Sequence, residues 1–183
     1  MISSLPMQTG LPVAIDYDPF AGGVLSRVVP STEAQREVWL ASQLGEDASL
    51  AFNESVSLRL RGPLEVAVLE QALAAVVAAH DALHAGFAPD GETFCVLEAG
   101  AFGLRHEDLS SLPEPARAAA LQARRQASVD TPFDLAQGHL FRAELLRWSD
   151  QEHVLLMSAH HIVCDGWSWW VLVRELGARY AQA

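Results

Sequence analysis

The pattern of hydrophobic and polar positions near the end of the chain predicts two strands followed by a helix. The strands are expected at Leu140–Trp148 and His153–Val163, with a short polar turn between them. An Asp-Gly pair at residues 165–166 ends the second apolar run, and a tryptophan-rich helical pattern continues from Trp167 to about Tyr180. Two adjacent histidines, at positions 160 and 161, therefore lie close to a strand-to-helix junction.

The preceding part of the chain is predicted to alternate helices with short strands. Period-two alternation at Ser55–Arg61 indicates a strand with one wet face. The other expected elements are a helix from Thr32 with Ser31 or Thr32 as its N-cap, a helix at Leu64–Ala79, strands at about Ala85–Ala88, Thr93–Leu97 and Gly103–Glu107, and a helix from Pro113 to about Ser128. Such an order indicates an α/β (α+β) sandwich with a mainly antiparallel sheet flanked by helices.

The first 30 residues are predicted to be a linker or a docking segment, and residues 31–183 a folded lobe. Prolines and glycines interrupt any period before residue 31, although Leu11–Ile15 could add a short strand to a neighbouring sheet. This N-terminus also lacks the basic flank and the continuous apolar core of a signal peptide. A tether that orders against a neighbour and a docking element for an upstream protein are both open.

Composition excludes several classes of function. The chain has 183 residues, of which 50% are hydrophobic and 19% charged, as expected of a globular domain with one core. All 12 basic residues are arginines, so lysine Schiff-base chemistry is excluded. The net charge of −11 argues against nucleic acid and anionic membranes as partners. Two cysteines, Cys95 and Cys164, make no disulfide framework, which fits a reducing cytoplasm.

The two histidines are the main candidates for chemistry. Successive strand residues point to opposite faces, so His160 and His161 cannot easily serve one centre, and a metal site shared by them is disfavoured. One imidazole is expected to be a buried support, while the other is free to meet a substrate. Asp165 can hold the following loop through an arginine, a histidine or backbone N–H groups, and Gly166 allows close approach of another group.

Residues 160–166 resemble the His-His-x-x-x-Asp-Gly signature of nonribosomal peptide synthetase condensation domains, which belong to the wider chloramphenicol-acetyltransferase-like acyltransferases. Three further blocks resemble motifs of that family and occur in its order. They are Pro30–Leu40, similar to Ser-x-Ala-Gln-x-x-x-Trp-x-Leu, His80–Phe87, similar to Arg-His-x-x-Leu-Arg-x-x-Phe, and Pro132–Arg142, similar to Pro-Phe-Asp-Leu followed by Gly-Pro-Leu-x-Arg. The chain is therefore interpreted as the N-terminal lobe of a condensation domain.

The resemblance implies an activity, a set of partners and a role for each motif residue. Members of the family join a donor acyl or peptidyl thioester, carried on the phosphopantetheine arm of a carrier protein, to a carrier-bound aminoacyl amine. No cofactor is expected on this chain itself, and its partners would be donor and acceptor carrier proteins, the second lobe and neighbouring modules. His161 would face the tunnel where the two arms meet, as a base or as a hydrogen-bonding positioner. The other implied roles are buried support for His160, structural anchor for Asp165, close approach for Gly166, and tunnel wall for Trp167 and Ser168.

Two departures from the family pattern bear on activity. His84 stands where the family commonly has an arginine that pairs with the motif aspartate, so we expect His84 within hydrogen-bonding reach of Asp165, with Arg142 as the alternative partner. Condensation domains also have two lobes, and this chain is expected to supply only the first. A non-catalytic carrier-docking or scaffold module that keeps the fold stays open as the alternative, as does an epimerisation domain. The exposed arginines of the helix from Pro113 could form a solvated face or contact a carrier protein.

Overall fold

The computed structural model describes residues 23–182, which form seven strands and five α-helices. The strands are β1 (Leu25–Pro30), β2 (Asn53–Arg61), β3 (Ala85–Phe87), β4 (Thr93–Leu97), β5 (Arg105–Asp108), β6 (Phe141–Ser149) and β7 (Glu152–His160). The helices are α1 (Glu33–Ser42), α2 (Glu46–Leu50), α3 (Val66–Ala79), α4 (Glu114–Asp130) and α5 (Gly166–Gln182). Every strand and helix that the sequence predicts within these residues is present.

The larger sheet has four strands in the order β2-β7-β6-β5. Its pairs are antiparallel except for β5, which runs parallel to β6. Helices α3 and α5 cover one face, where Leu73 and Leu172 pack against Met157 of β7. Helix α4 covers the other face through Leu121, which lies in one cluster with Leu156. The predicted α/β sandwich with a mainly antiparallel sheet is confirmed.

The smaller sheet is antiparallel throughout, in the order β1-β4-β3. Its first strand corrects the predicted boundary at residue 30, because Leu25–Pro30 forms β1 and pairs with β4 rather than serving as linker. Most of β1 is exposed, so its sequence carries no strong burial pattern and its partner strand fixes it. The remainder of the predicted linker or docking segment, including the possible strand at residues 11–15, lies outside the described residues.

Helix α1 begins where the sequence predicts and has a capping box. The Thr32 hydroxyl accepts a hydrogen bond from the backbone N–H of Gln35 (3.2 Å), and the Gln35 side chain accepts one from the backbone N–H of Thr32 (3.0 Å). Thr32 is therefore the N-cap. Ser31 instead lies between β1 and α1, and its N–H donates to the carbonyl of Glu92 (2.9 Å).

The ends of some elements differ from the predicted ones. Strand β7 ends at His160 rather than Val163, because residues 161–163 form a turn in which the Val163 N–H donates to the His160 carbonyl (3.0 Å). Helix α2 and a 3-10 turn at Asp81–His84 are too short to give a periodic signal. No helix within residues 23–182 combines the length and the apolar character needed to cross a membrane.

The arginines of α4 join this helix to the sheet. The Arg117 guanidinium donates to the carbonyl of Trp148 (3.0 Å) and lies over its ring, 5.2 Å from the centroid. Arg124 pairs with Glu107 (2.5 Å), and Arg125 donates to a serine hydroxyl of β2 (3.1 Å). These partly exposed residues therefore also bind the sheet, and a contact with a carrier protein stays a prediction.

Candidate active site

His160 is the last residue of β7 and is fully buried. Its N–H donates to the carbonyl of Leu140 (3.2 Å), and its Nδ1 accepts a hydrogen bond from the N–H of Ile162 (3.2 Å). The rings of Phe52 and Phe133 lie 5.8 and 6.3 Å from the imidazole. Burial and the neighbouring His161 lower the pKa of His160 to about 4. The backbone of Ser49 partly opposes this shift, although it forms no hydrogen bond with the ring. The ring is therefore neutral at neutral pH, and its role as a support of the site stays a prediction.

His161 lies one residue beyond the strand and points away from His160. Its N–H donates to the carbonyl of Phe52 (2.8 Å), which continues the pairing of β2 with β7. Its side chain is 40% exposed, and its Nδ1 lies 2.7 Å from Oε1 of Glu54. The expected division into one buried and one accessible imidazole is thus present in the structure, whereas the role of His161 in a reaction stays a prediction.

Glu54 is a site residue that the sequence-based prediction missed. It lies on the face of β2 that also carries Val56 and Leu58, which pack against the core below α3 and α5. Its Oε2 accepts a hydrogen bond from Nε1 of Trp169 (2.8 Å). In the alternation of β2, Glu54 occupies a position where an apolar residue is expected, and this is the sequence signal that could have revealed it as a site residue. The structure brings Glu54, His161 and Trp169 together from three elements.

Asp165 caps helix α5. Its Oδ1 accepts hydrogen bonds from the backbone N–H (2.8 Å) and the hydroxyl (2.6 Å) of Ser168, which is the third residue of the helix. These two bonds lower the pKa of the Asp165 carboxyl below its usual value. Asp165 is thus held by a backbone N–H and a hydroxyl of its own helix, one of the three kinds of partner that the sequence left open.

The expected pairing of Asp165 with His84 or Arg142 is wrong. Nδ1 of His84 lies 2.8 Å from the carbonyl oxygen of Leu97, so this imidazole contacts the end of β4. The Arg142 guanidinium donates to the carbonyl of Thr131 (2.7 Å) and lies 3.7 Å from the centroid of the Phe133 ring. The cap formed by Ser168 is local and needs neither side chain. His84 therefore supports the β4 end rather than the motif loop.

The four sequence blocks meet around the loop that follows β7. The Gln35 side chain from the first block reaches the carbonyl of Ile162 (3.5 Å). Phe87 from the second block donates its N–H to the carbonyl of Leu135 in the third (2.8 Å). Phe133, from the same third block, packs edge-on against His160. Phe87, Phe133 and Ile162 also belong to one buried cluster, so the blocks pack together beside the histidine pair.

Trp167 and Ser168 line a cleft of about 180 Å³ at the start of α5, together with His80, Leu83 and Val163 among others. Trp167 is 71% exposed and stacks on the ring of Trp170, which is also exposed, with ring centroids 5.2 Å apart. Gly166 begins the helix, and a Cβ there would meet no atom of the described residues within 4 Å. His161 is absent from the lining of this cleft, so the predicted tunnel-wall and close-approach roles stay predictions.

Cys164 lies inside the motif but is unsuited to nucleophilic chemistry. It is a free, buried cysteine. Burial, with the charges of Glu54 and Asp165, raises the pKa of its thiol to about 12. The thiol is therefore protonated at neutral pH, and the exposed imidazole of His161 is the better candidate for proton transfer in this loop.

Comparison with known families agrees with this geometry. The family model described as "Condensation domain" matches residues 25–183. The chain belongs to the condensation domain family. The resemblance found in the four sequence blocks is thereby confirmed, and the match begins at the first residue of β1.

The relatives of this condensation-domain chain are much longer proteins. Chondramide synthase cmdD of Chondromyces crocatus is 41% identical over 155 residues, which make up 84% of this chain and 4% of that protein. Malpinin synthetase of Mortierella alpina is 35% identical over 156 residues, 83% of this chain and 2% of that protein. The chain thus spans only a few per cent of the length of these relatives.

Solved condensation domains share the fold. The starter condensation domain of rhizomide synthetase RzmA is 30% identical, with a TM-score of 0.76, and the match covers 85% of this chain and 39% of that one. A variant of the same domain, solved in complex with C8-CoA and Leu-SNAC, gives a TM-score of 0.76 at 29% identity. Less than half of the solved domain therefore has a counterpart in this chain.

Proposed function

We propose that the chain is the N-terminal lobe of a condensation domain that forms amide bonds in nonribosomal peptide, or hybrid polyketide-peptide, synthesis. The observation that supports it most directly is the contrast at the end of β7, where a buried neutral His160 precedes an accessible His161. The relatives are synthetases, and a solved neighbour was captured with C8-CoA and Leu-SNAC, which fits such a reaction.

The proposed reaction needs a group that handles one proton. The amine of the acceptor attacks the carbonyl carbon of the donor thioester, so a C–N bond forms, the C–S bond breaks, and the sulfur leaves as a thiol. The amine loses a proton in this step and the leaving sulfur gains one, so His161 either accepts the proton and passes it to the sulfur or holds the amine in line. Asp165 keeps the loop in place by capping α5, and Trp167 and Ser168 would contact a substrate that enters the cleft.

The proposed substrates arrive on phosphopantetheine arms, and no cofactor is assigned to the chain itself. The partners would be the donor and acceptor carrier proteins, the remaining lobe and the neighbouring modules of a synthetase. The net charge of −11 disfavours nucleic acid and anionic membranes as partners. Two free, buried cysteines accord with a reducing compartment, and we place the protein in the cytoplasm.

Substitution of each histidine tests this function in the synthetase that carries these residues. His161→Ala is expected to lower amide formation roughly 100-fold, because general acid–base catalysis contributes at least that much, and to leave the unfolding temperature nearly unchanged. His160→Ala is expected to destabilise the domain by about 1 to 3 kcal/mol, because it removes a buried, hydrogen-bonded ring. Product formation from loaded donor and acceptor carriers and thermal unfolding are measured for both variants.

The matched control is His106→Ala. His106 is also an exposed histidine beside a carboxylate, with its Nε2 2.6 Å from Oε1 of Glu70, but it lies on β5 away from the motif. Its replacement should leave amide formation intact. Undiminished product from His161→Ala would contradict the proposed reaction and favour the non-catalytic docking or scaffold module.

A further inference from the structure

Glu54 is placed where it can control the proton on the ring of His161. We propose that Glu54, itself held by Trp169, is a positioning residue that keeps this proton on Nδ1 and so leaves Nε2 free to accept a proton from the acceptor amine. The inference deepens the proposed function and rests on it for its catalytic consequence. The placement of the proton can be tested without that function.

The contact between the two side chains favours one form of the imidazole. Nδ1 of His161 and Oε1 of Glu54 are 2.7 Å apart, and an ionised carboxylate offers only lone pairs. A lone pair on Nδ1 would face those of the carboxylate and be repelled, whereas an N–H at the same position is attracted. The neutral ring therefore carries its proton on Nδ1, and its lone pair is on Nε2.

Trp169 fixes the carboxylate from the other side. Its indole Nε1–H can only donate, and it reaches Oε2 of Glu54 at 2.8 Å. The indole is 7% exposed and packs near Phe141, with ring centroids 6.3 Å apart, so the core determines its orientation. One oxygen of Glu54 thus accepts a hydrogen bond from the indole, and the other lies within ion-pair distance of Nδ1 of His161.

The backbone makes this arrangement a consequence of strand pairing. Glu54 lies opposite Ala159 in the β2–β7 register, and the His161 N–H continues the ladder by donating to the carbonyl of Phe52. Both side chains consequently project to the face that α5 covers. No hydrogen bond to Nε2 of His161 is present within residues 23–182, and the side chain as a whole is 40% exposed.

Glu54→Gln tests the inference because a carboxylate has two oxygens that face Trp169 and His161, whereas an amide has one oxygen and one NH₂ group. In one orientation its NH₂ opposes the indole N–H, and in the other its oxygen accepts from Trp169 while its NH₂ donates to Nδ1 of His161. Only the second satisfies every group, and it requires the ring proton to move to Nε2. Ring ¹⁵N chemical shifts of His161 in the 183-residue chain, at a pH where the ring is neutral, should show Nδ1–H in the wild type and Nε2–H in the variant.

A second substitution makes the test specific. In Glu54→Gln with Trp169→Phe the amide no longer faces an indole donor, so its oxygen can turn to the ring and the Nδ1–H signal should return in part. Trp169→Phe alone should keep the proton on Nδ1, since Glu54 is unchanged. Glu152→Gln, which alters a carboxylate paired with Arg59 at the other end of the same two strands, is the control and should change neither signal.

In the synthetase, Glu54→Gln should lower amide formation roughly 100-fold, as loss of the proton acceptor predicts. A persistent Nδ1–H signal in the folded variant would overturn the inference. A proton that moves to Nε2 while amide formation is undiminished would instead leave the Glu54–His161 coupling intact and contradict the proposed role of His161. Glu54→Leu, which suits the apolar face of β2, repeats the test if the glutamine variant does not fold, because without the carboxylate the proton is no longer confined to Nδ1.

Discussion

Two adjacent histidines of this chain differ in chemistry because their surroundings differ. His160 is enclosed between aromatic rings, and burial lowers its pKa to about 4. His161 has an accessible ring whose Nδ1 faces a carboxylate. Because the ordinary pKa of imidazole lies near neutral pH, burial is enough to keep His160 neutral, whereas the accessible ring of His161 is the one that we propose takes part in proton transfer.

The buried histidine predicts a specific loss of stability in mild acid. The ordinary pKa of its side chain is 6.5 and the folded value is about 4, so between these values the unfolded chain binds a proton that the folded chain does not. The contribution of His160 is complete above pH 6.5, and the free energy of unfolding should fall by about 1.4 kcal/mol per pH unit as the pH decreases toward 4. Urea unfolding at a series of pH values measures this slope.

The comparison is made with His160→Asn, which has no titrating group at this position. His153 has a pKa shifted in the same direction, so the difference between wild type and variant, rather than the wild-type slope alone, reports His160. Hydrogen bonds from Ser168 lower the pKa of the Asp165 carboxyl, so its stabilising contribution is lost only at more acidic pH. Equal slopes in the two proteins would contradict the assignment.

At the scale of elements, the site depends on the close approach of backbone segments. The segment that follows Phe133 runs beside β3, where the Phe87 N–H donates to the Leu135 carbonyl. Gly86 and Gly138 meet at this crossing, and Gly138 has a φ of 76°, which favours glycine. The crossing brings the Phe133 ring against His160, so packing between two distant segments supports the end of β7.

Gly86→Ala should therefore destabilise the domain. The added Cβ would lie 2.9 Å from the backbone nitrogen of Gly138 and 3.0 Å from the Leu135 carbonyl oxygen, and neither backbone atom can turn aside. A loss of about 1 to 3 kcal/mol is expected from such overpacking, measured by urea unfolding. Gly100→Ala is the matched control, because a Cβ there meets nothing within 4 Å among the described residues. Equal stability of the two variants would show that the segments can separate at little cost.

At the scale of the whole molecule, the chain corresponds to part of a condensation domain. It covers 39% of the solved starter condensation domain chain that it resembles. Its fold buries the side chain of His160, while the side chains of His161 and Trp167 are accessible. Orientation of two substrates supplies a large part of the rate in reactions of this kind, so the surfaces that position them matter as much as the proton acceptor.

We accordingly expect no amide formation by the isolated 183-residue chain. Without further surfaces to align donor and acceptor, loaded carriers mixed with the purified chain should give product no faster than carriers alone. Mass spectrometry of the carrier-bound species measures this rate, and His161→Ala in the same chain is the control for a background reaction. Turnover that depends on His161 in the isolated chain would contradict the expectation.

The sequence by itself determined most of the helices and strands, the faces of the main strands and the four blocks that identify the family. These features depend on periodicity over a few residues or on short motifs, so Thr32 could be recognised as a possible cap and the two histidines assigned to different faces. The strand at Leu25–Pro30 could not be recognised, because its pairing with β4 and not its own pattern holds it.

Only the tertiary structure decided which side chains meet at the site. The expected partner of Asp165 was a histidine or an arginine, but the first turn of α5 already satisfies its carboxylate through Ser168. Glu54 lies just before the strand that the sequence predicts, and only the register of β2 with β7 places it beside His161. Hydrophobic periodicity specifies which face a residue occupies, whereas contacts between distant residues follow from strand register and helix packing, which local sequence does not encode.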